Sequence, residues 1–412
     1  MSVAIRESAA PPPKALQVTL RKITETLAHE LASPTATAPD WTEIEWMVAR
    51  AVAAMHGVSP LLSSTLRWQG PDGWMQFLAQ QRTHTESRQE RLGALLQRID
   101  EIAREAGIAA VALKGAALHA MQVYVAGDRP MADIDLLVRP ADAERTARML
   151  ERMGYYESWA CWKERAFVPI DGHTASGFGE HSGNDLKIEL HERICERLPW
   201  HITDVSGIMF PPEPHPGLNA YPSKASLMTH LLLHAAGSMA FQSLRLLHLH
   251  DLAQLASRMT DTDWDTFVES SARGERFWWA YPPLKLTSRY FPARIPDRVL
   301  EALANDCPYL LERASRHQTL YDVSFSYLWV DAFPGIEWSR SLREILVYAA
   351  KRVWPDSKHL AGREHVAKCE PWASQAQWSH LSQGRRILRW LTSRQTRTLT
   401  MHAVRSALAQ SS

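Results

Sequence analysis

The sequence predicts an α+β fold: a small α/β unit, preceded by N-terminal helices and followed by a larger all-helical region. Three observations carry this. The hydrophobic period is helical up to about residue 106, then switches to short β-rich runs alternating with helices as far as about residue 200. Beyond about residue 222 the pattern is almost wholly helical. The composition, 45% hydrophobic and 22% charged with a net charge of +1 over 412 residues, is that of a globular chain long enough for two or three domains.

Taken in order, residues 1–15 are expected to be disordered, with Pro11 to Pro13 preventing a helix. Helices follow at 16–32, from Asp40–Glu43 to about 56, after Pro60, and at 75–106, where Gly107 stops the last. Together 16–75 form an N-terminal helical segment, and 76–200 form the α/β core. In that core, Ile108–Leu113 is a strand ending at Lys114-Gly115, followed by a short helix at 116–125. Ile134–Val138 is an apolar strand flanked and split by aspartates, the helix 143–153 ends at Gly154, and a further strand starts near Tyr155. After a glycine-containing loop, 186–191 alternates as a half-buried strand. Helices are expected at 223–236, 242–258, 263–272, 297–304 and 339–353, within a helical domain spanning 222–370, and 371–412 is a basic helical tail. Sixteen tryptophans, many beyond residue 260, predict bulky packing between these helices.

The near-neutral charge gives no global attraction to nucleic acid or membrane. The four cysteines include no Cys-x-x-Cys pair, which argues against a zinc ribbon or a thioredoxin-like redox site. There is no apolar signal core at the start and no run of 18 apolar residues, so a cytoplasmic, reduced protein without integral membrane segments is expected.

The chemistry concentrates at Asp133-Ile134-Asp135. On a strand, residues i and i+2 share a face about 7 Å apart. Two carboxylates placed so repel each other unless a cation sits between them. Mg²⁺ suits such oxygen ligands and accepts water and phosphate for the rest of its shell. Glu189, on the same strand face as Lys187 and His191, supplies a third carboxylate, with Asp185 and Glu192 as neighbouring alternatives. Upstream, Leu113-Lys114-Gly115-Ala116 is a strand-to-helix turn where glycine admits close approach of a ligand and Lys114 offers a point charge to phosphate.

These residues resemble the DNA polymerase β-like nucleotidyltransferase superfamily. The fuller pattern resembles its uncharacterised bacterial nucleotidyltransferase family. It runs Leu113-Lys114-Gly115-Ala116, Arg129-Pro130-Met131-Ala132-Asp133-Ile134-Asp135, Gly154-Tyr155, then His230, His234, Asp251 and Asp263-Trp264. The similarity covers roughly residues 42–275. It implies a minimal nucleotidyltransferase α/β core in which Asp133, Asp135 and Glu189 hold two Mg²⁺ ions. A nucleoside monophosphate would pass from an NTP, ATP favoured, to an acceptor hydroxyl on a small molecule or peptide natural product. Lys114 and Arg129 would contact phosphates. The superfamily usually has Gly-Ser or Gly-Gly where this chain has Gly115-Ala116, which removes one hydroxyl contact.

The remaining residues have plainer readings. Arg129 either reaches substrate or pairs with Asp133 or Asp128. His191 orients a carboxylate, contacts substrate or packs. His230 and His234 share one helix face without the adjacent Glu of a zinc motif, so packing or a substrate-side role is expected. Asp251 is expected to cap or pair within the helical domain. The stretch from Trp372 onward has no Asp or Glu and carries Arg385, Arg386, Arg389, Arg394, Arg397 and Arg405. It is expected to dock on an acidic surface or fray, with nucleic acid a less favoured partner. A toxin- or regulator-type enzyme acting on protein or tRNA, and a catalytically silent nucleotide-binding module, are the alternative functions.

Overall fold

The structure is a computed structural model that describes residues 11–172, 178–199, 201–273, 276–355 and 381–409. Helices α1 (Pro13–Ala32), α2 (Glu43–Met55), α3 (Ser59–Thr65) and α4 (Asp72–Glu105) come first. The α/β part follows as β1 (Ala109–Ala112), α5 (Lys114–Ala120), β2 (Asp133–Val138), α6 (Ala143–Arg152), β3 (Tyr155–Ala160), β4 (Arg165–Pro169), β5 (Lys187–His191), β6 (Cys195–Leu198), β7 (His201–Asp204) and β8 (Gly217–Asn219). Then come α7 (Lys224–Ala240), α8 (Leu246–Ala256), α9 (Asp261–Arg273), α10 (Tyr281–Tyr290), α11 (Asp297–Asp306), α12 (Tyr309–Ser315), α13 (Leu320–Val323) and α14 (Leu342–Val353). Two C-terminal helices, α15 (Gln383–Thr392) and α16 (Thr398–Ala409), complete the described chain.

The sheet is mixed, in the order β3-β4-β5-β2-β1-β8, with β6 and β7 forming a separate pair. β2 lies at its centre, antiparallel to β1 and parallel to β5. Alternation along β2 decides everything that follows. Ile134, Leu136 and Val138 join the cluster under α6 and the end of α4. Asp135 and Leu137 point the other way, and Leu137 enters the large core shared with the helical part. The carboxylates therefore emerge on the face turned toward the helices.

That large core is continuous. It runs from Leu16 in α1 through the tryptophans of the N-terminal helices to Val404 and Ala407 in α16. Trp46 touches Trp41, Trp68 and Trp74 at centroid distances of 4.7, 5.9 and 5.7 Å, so the tryptophan packing is as much N-terminal as C-terminal. Among the described residues, no helix is long and apolar enough to cross a membrane.

Several sequence-based expectations change. The expected disorder of residues 1–10 lies outside the described residues. From Pro13 the chain is already helical, because a proline at the first helical position lacks only an N–H that has no helical partner there. α2 is capped by Thr42 and Glu45 in a reciprocal box rather than by Asp40 and Glu43. The sheet gains β4 from a stretch to which the sequence assigns no separate element, and β8 from beyond residue 200. The last helix is docked on the body of the protein. In α16, Val404 and Ala407 are fully buried against α2, and Arg397 donates to the carbonyls of Gln242 (2.7 Å) and Ser324 (3.0 Å). The part between 356 and 380 lies outside the described residues.

Val404→Asp places an uncompensated charge at this α16–α2 contact. The expected cost is on the order of 3 kcal/mol or more, read as a lowered urea midpoint with a single transition, whereas a peripheral tail would leave the midpoint where it is.

Candidate active site

The site is built on the parallel register of β2 and β5, which sets Asp135 opposite Glu189 and Leu137 opposite His191. One oxygen or ring nitrogen from each of Asp135, Glu189 and His191 lies within 4.8 Å of the others, a donor set that fits a divalent cation. Asp133 stands next along β2, opposite Lys187, outside that tight group.

Asp135 is the pivot. Its Oδ1 accepts from the Lys114 ammonium at 2.8 Å and meets His191 Nε2 at 3.0 Å. Burial alone would raise its pKa, but Lys114 and His191 outweigh that and hold it well below the ordinary aspartate value. Burial and the charge of Asp135 push Asp133 the other way, upward. Glu189, half-buried, is raised to about 9 by its desolvation and by the charges of both aspartates. Lys114 is pulled down by burial, yet Asp135, Asp133 and Glu189 together leave it above the usual lysine value, so it stays charged.

The Lys114-Gly115 turn works differently from its sequence expectation. The left-handed residue is Lys114 itself, at φ 46°, not Gly115. Its backbone N–H donates to the Tyr221 hydroxyl (3.4 Å), which is bonded in turn to His230 Nδ1 (2.7 Å). Strain of this kind marks a residue over-determined by its surroundings. The space a Cβ would need at Gly115 is taken by Arg129 Nη1 and by Met131 Sδ, 2.6 Å away, so this glycine admits protein rather than ligand. Ala116 is buried, and its N–H is bonded to the Leu113 carbonyl at 3.1 Å.

Arg129 pairs with neither Asp133 nor Asp128. Its Nε and Nη2 donate to Asp251 Oδ1 and Oδ2 at 2.8 and 2.7 Å, and Tyr124 Oη donates to the same Oδ1 at 2.7 Å. Asp251, expected to pair inside the helical part, thus ties α8 to the loop that precedes β2. His230 and His234 line the site from α7; burial keeps both well below the normal histidine pKa and hence neutral. His234 Nδ1 lies 3.6 Å from Glu196 Oε1, and its ring meets His248 edge-on.

Sequence reasoning missed four supporting residues. Arg88 of α4 is almost fully buried and donates to the carbonyls of Asn184 (2.9 Å) and Met131 (3.1 Å), pinning the segments before β5 and β2. Gln81 clamps Glu180 through its N–H (2.7 Å) and carbonyl (3.1 Å). Glu180, 3.5 Å from Arg88, has its pKa raised by burial, and the charges of Arg245 and Asp133 act on it. A signal for the α4 residues exists: Gln81, Thr85 and Arg88 continue the buried stripe of Phe77, Leu78 and Leu92, and polar residues on a buried stripe need partners.

The class of protein follows from a family match, and it is a nucleotidyltransferase. The family described as uncharacterised nucleotidyltransferase matches residues 42–292, and the chain belongs to it. No curated protein and no solved structure matches.

Asp251→Asn leaves a buried guanidinium without its counter-charge and is expected to cost about 3–5 kcal/mol in denaturant titration. Replacing both partners, Arg129→Met with Asp251→Met, should cost less. A second expectation concerns pH. Glu189 binds its proton more tightly in the folded protein (about 9) than an ordinary glutamate does (4.5). The metal-free protein therefore holds this contribution below about pH 4.5 and loses it as pH rises toward 9. Thermal melts of wild type and Glu189→Gln across that range should converge in slope only if Glu189 is not the group responsible.

Proposed function

We propose that this enzyme transfers a nucleoside monophosphate from an NTP to an acceptor hydroxyl, at a divalent-metal site made by Asp133, Asp135 and Glu189. The observation that carries the reading is the register of β2 and β5, which gathers the Asp135, Glu189 and His191 donors within 4.8 Å. Mg²⁺ is the favoured ion and ATP the favoured nucleotide. Bound there, the metal would supply charge stabilisation to the phosphoryl oxygens and a lowered pKa for the attacking hydroxyl.

The chain's own residues do the rest. The acceptor hydroxyl releases its proton to solvent as its oxygen forms a bond to the α-phosphorus, the bond from that phosphorus to the bridging oxygen breaks, and pyrophosphate leaves with the electron pair. Lys114 holds a fixed positive charge beside Asp135, where the phosphates enter. His191, fully buried, fixes the orientation of the Asp135 carboxylate. Arg129 is a positioning residue, since Asp251 occupies its fork, and it sets the loop from which β2 starts. The helical wall carrying His230, His234 and Tyr221 forms the acceptor side of the cleft. A small molecule or peptide natural product is the favoured acceptor.

The test is incubation of the full chain with each α-phosphate-labelled NTP, Mg²⁺ and candidate acceptors, read by mass shift and pyrophosphate release. Asp135→Asn should lower transfer by more than the 10–100-fold typical of losing a residue behind a metal ligand. If no nucleotide binds the wild type and Asp135→Asn changes nothing, the proposal fails.

A further inference from the structure

The two nitrogens of His191 have conflicting surroundings. The ring is buried. Its Nε2 lies 3.0 Å from Asp135 Oδ1 and 3.9 Å from Glu189 Oε2. Its Nδ1 is sealed from solvent with no hydrogen bond among the described residues, and Glu164 Oε2 stands 4.0 Å from it. A neutral imidazole carries one proton. With that proton on Nε2, Asp135 is served and Nδ1 is a buried lone pair without a donor. With it on Nδ1, the N–H faces Glu164 and the Nε2 lone pair is turned on two carboxylates. Neither tautomer satisfies both nitrogens, and an unmet buried polar atom is costly. A cation between Nε2 and the carboxylates removes the conflict. The lone pair and both oxygens become ligands, and Nδ1 keeps its proton for Glu164.

Sheet register places these groups. β4 pairs with β5 so that Arg165 is opposite Leu190, which brings Glu164, the residue before β4, level with His191. The Cys161 N–H donates to the Glu164 carbonyl at 2.8 Å and closes the turn between β3 and β4. Lys163 in that turn is held by Glu196 at 2.5 Å. On the other side, the β2–β5 register fixes Asp135 opposite Glu189. The spacing around Nε2 suits one ion. Donors about 2.1 Å from an ion stand about 3 Å apart at right angles and about 4 Å apart on opposite sides. The separations of Nε2 from the two carboxylate oxygens, 3.0 and 3.9 Å, fall in this range.

We propose that His191 Nε2 is a direct metal ligand beside Asp135 and Glu189, and that Glu164 is the positioning residue that holds the ring in its ligating tautomer. This rests on the metal site of the nucleotidyl-transfer reading and adds to it a ligand and an ion class. Mg²⁺ takes oxygen donors and would use the carboxylates alone. Ions of the first transition row also accept imidazole nitrogen, with affinity rising from Mn²⁺ to Co²⁺. The nitrogen therefore gives the site a preference for those ions over Mg²⁺.

The test loads the full chain with Mn²⁺ and reads nitrogen coupling by pulsed electron paramagnetic resonance, with ¹⁵N-histidine protein as a second sample. Wild type should show a ¹⁴N coupling that moves to the ¹⁵N frequency on labelling, and His191→Gln should lose it. The labelled wild type reads the nitrogen even where His191→Gln fails to fold. Calorimetric binding of Co²⁺ and Mg²⁺ gives the selectivity. His191→Gln should weaken Co²⁺ at least about a hundredfold, beyond the loss of a partner behind a ligand, and Mg²⁺ by less than about threefold. Glu164→Gln should keep the nitrogen coupling and weaken Co²⁺ about ten- to a hundredfold. An unchanged Co²⁺ affinity in that variant removes the positioning role of Glu164. Bound Mn²⁺ without nitrogen coupling, as a doubly protonated ring would give, or coupling that survives in His191→Gln, overturns the ligand assignment and leaves the carboxylate site standing. If the wild type binds neither Mn²⁺ nor Mg²⁺, with or without NTP, the metal site of the nucleotidyl-transfer reading itself falls, and the role of His191 with it.

Discussion

Like charges gathered on one face of a strand are the constraint around which this protein is organised. Asp133, Asp135 and Glu189 would relieve their repulsion most simply by turning outward into water. The sheet denies them that: Ile134, Leu136, Ile188 and Leu190 are buried beneath it, so a slip of one residue would drive the carboxylates into the apolar layer and expose four core side chains. With the register fixed, the charge must be met in place. Lys114 adopts a left-handed backbone to reach Asp135, and His191 is sealed into the core beside it. Each of these is locally unfavourable, and each is compensated at the carboxylates.

The helical part completes this arrangement rather than merely covering it. Tyr221 and His230 hold the Lys114 backbone, and α8 reaches the loop before β2 through Asp251 and Arg129. A buried bidentate pair of this sort is sensitive to geometry and poor at conferring net stability, so its value lies in placing one element against another. The carboxylate face is therefore held by two halves of the chain at once.

The fold class and the carboxylates are legible in the sequence because they depend on short-range pattern. The switch from helical to alternating period marks the α/β part, and Asp-x-Asp on an apolar strand has a geometry that follows from the pleat alone. The hairpin strand β4 and the distant β8 are not legible. β4 is only five residues and β8 three, and their pairing is decided by strands far away in the chain. The partner of Arg129 is hidden for the same reason. Asp251 lies 122 residues away, and the nearer Asp128 and Asp133 are equally plausible until the helix is placed. Gly115 illustrates a subtler limit. That a side chain is excluded there is readable, but whether the room goes to a ligand or to Arg129 and Met131 depends on the tertiary neighbours.

The continuous core has a consequence for biogenesis. Gln17, Arg21 and Glu25 of α1 find their partners in Trp329, Asp322 and Tyr290, about 300 residues downstream, and α2 waits for α16. At a synthesis rate of about 5–20 residues per second, the apolar faces of the first helices stay uncovered for tens of seconds after they leave the ribosome. Contacts so distant along the chain also slow folding through the entropy of closing long loops. α1 and α2 are thus made long before the partners that satisfy them, and their apolar faces are open to self-association in the interval.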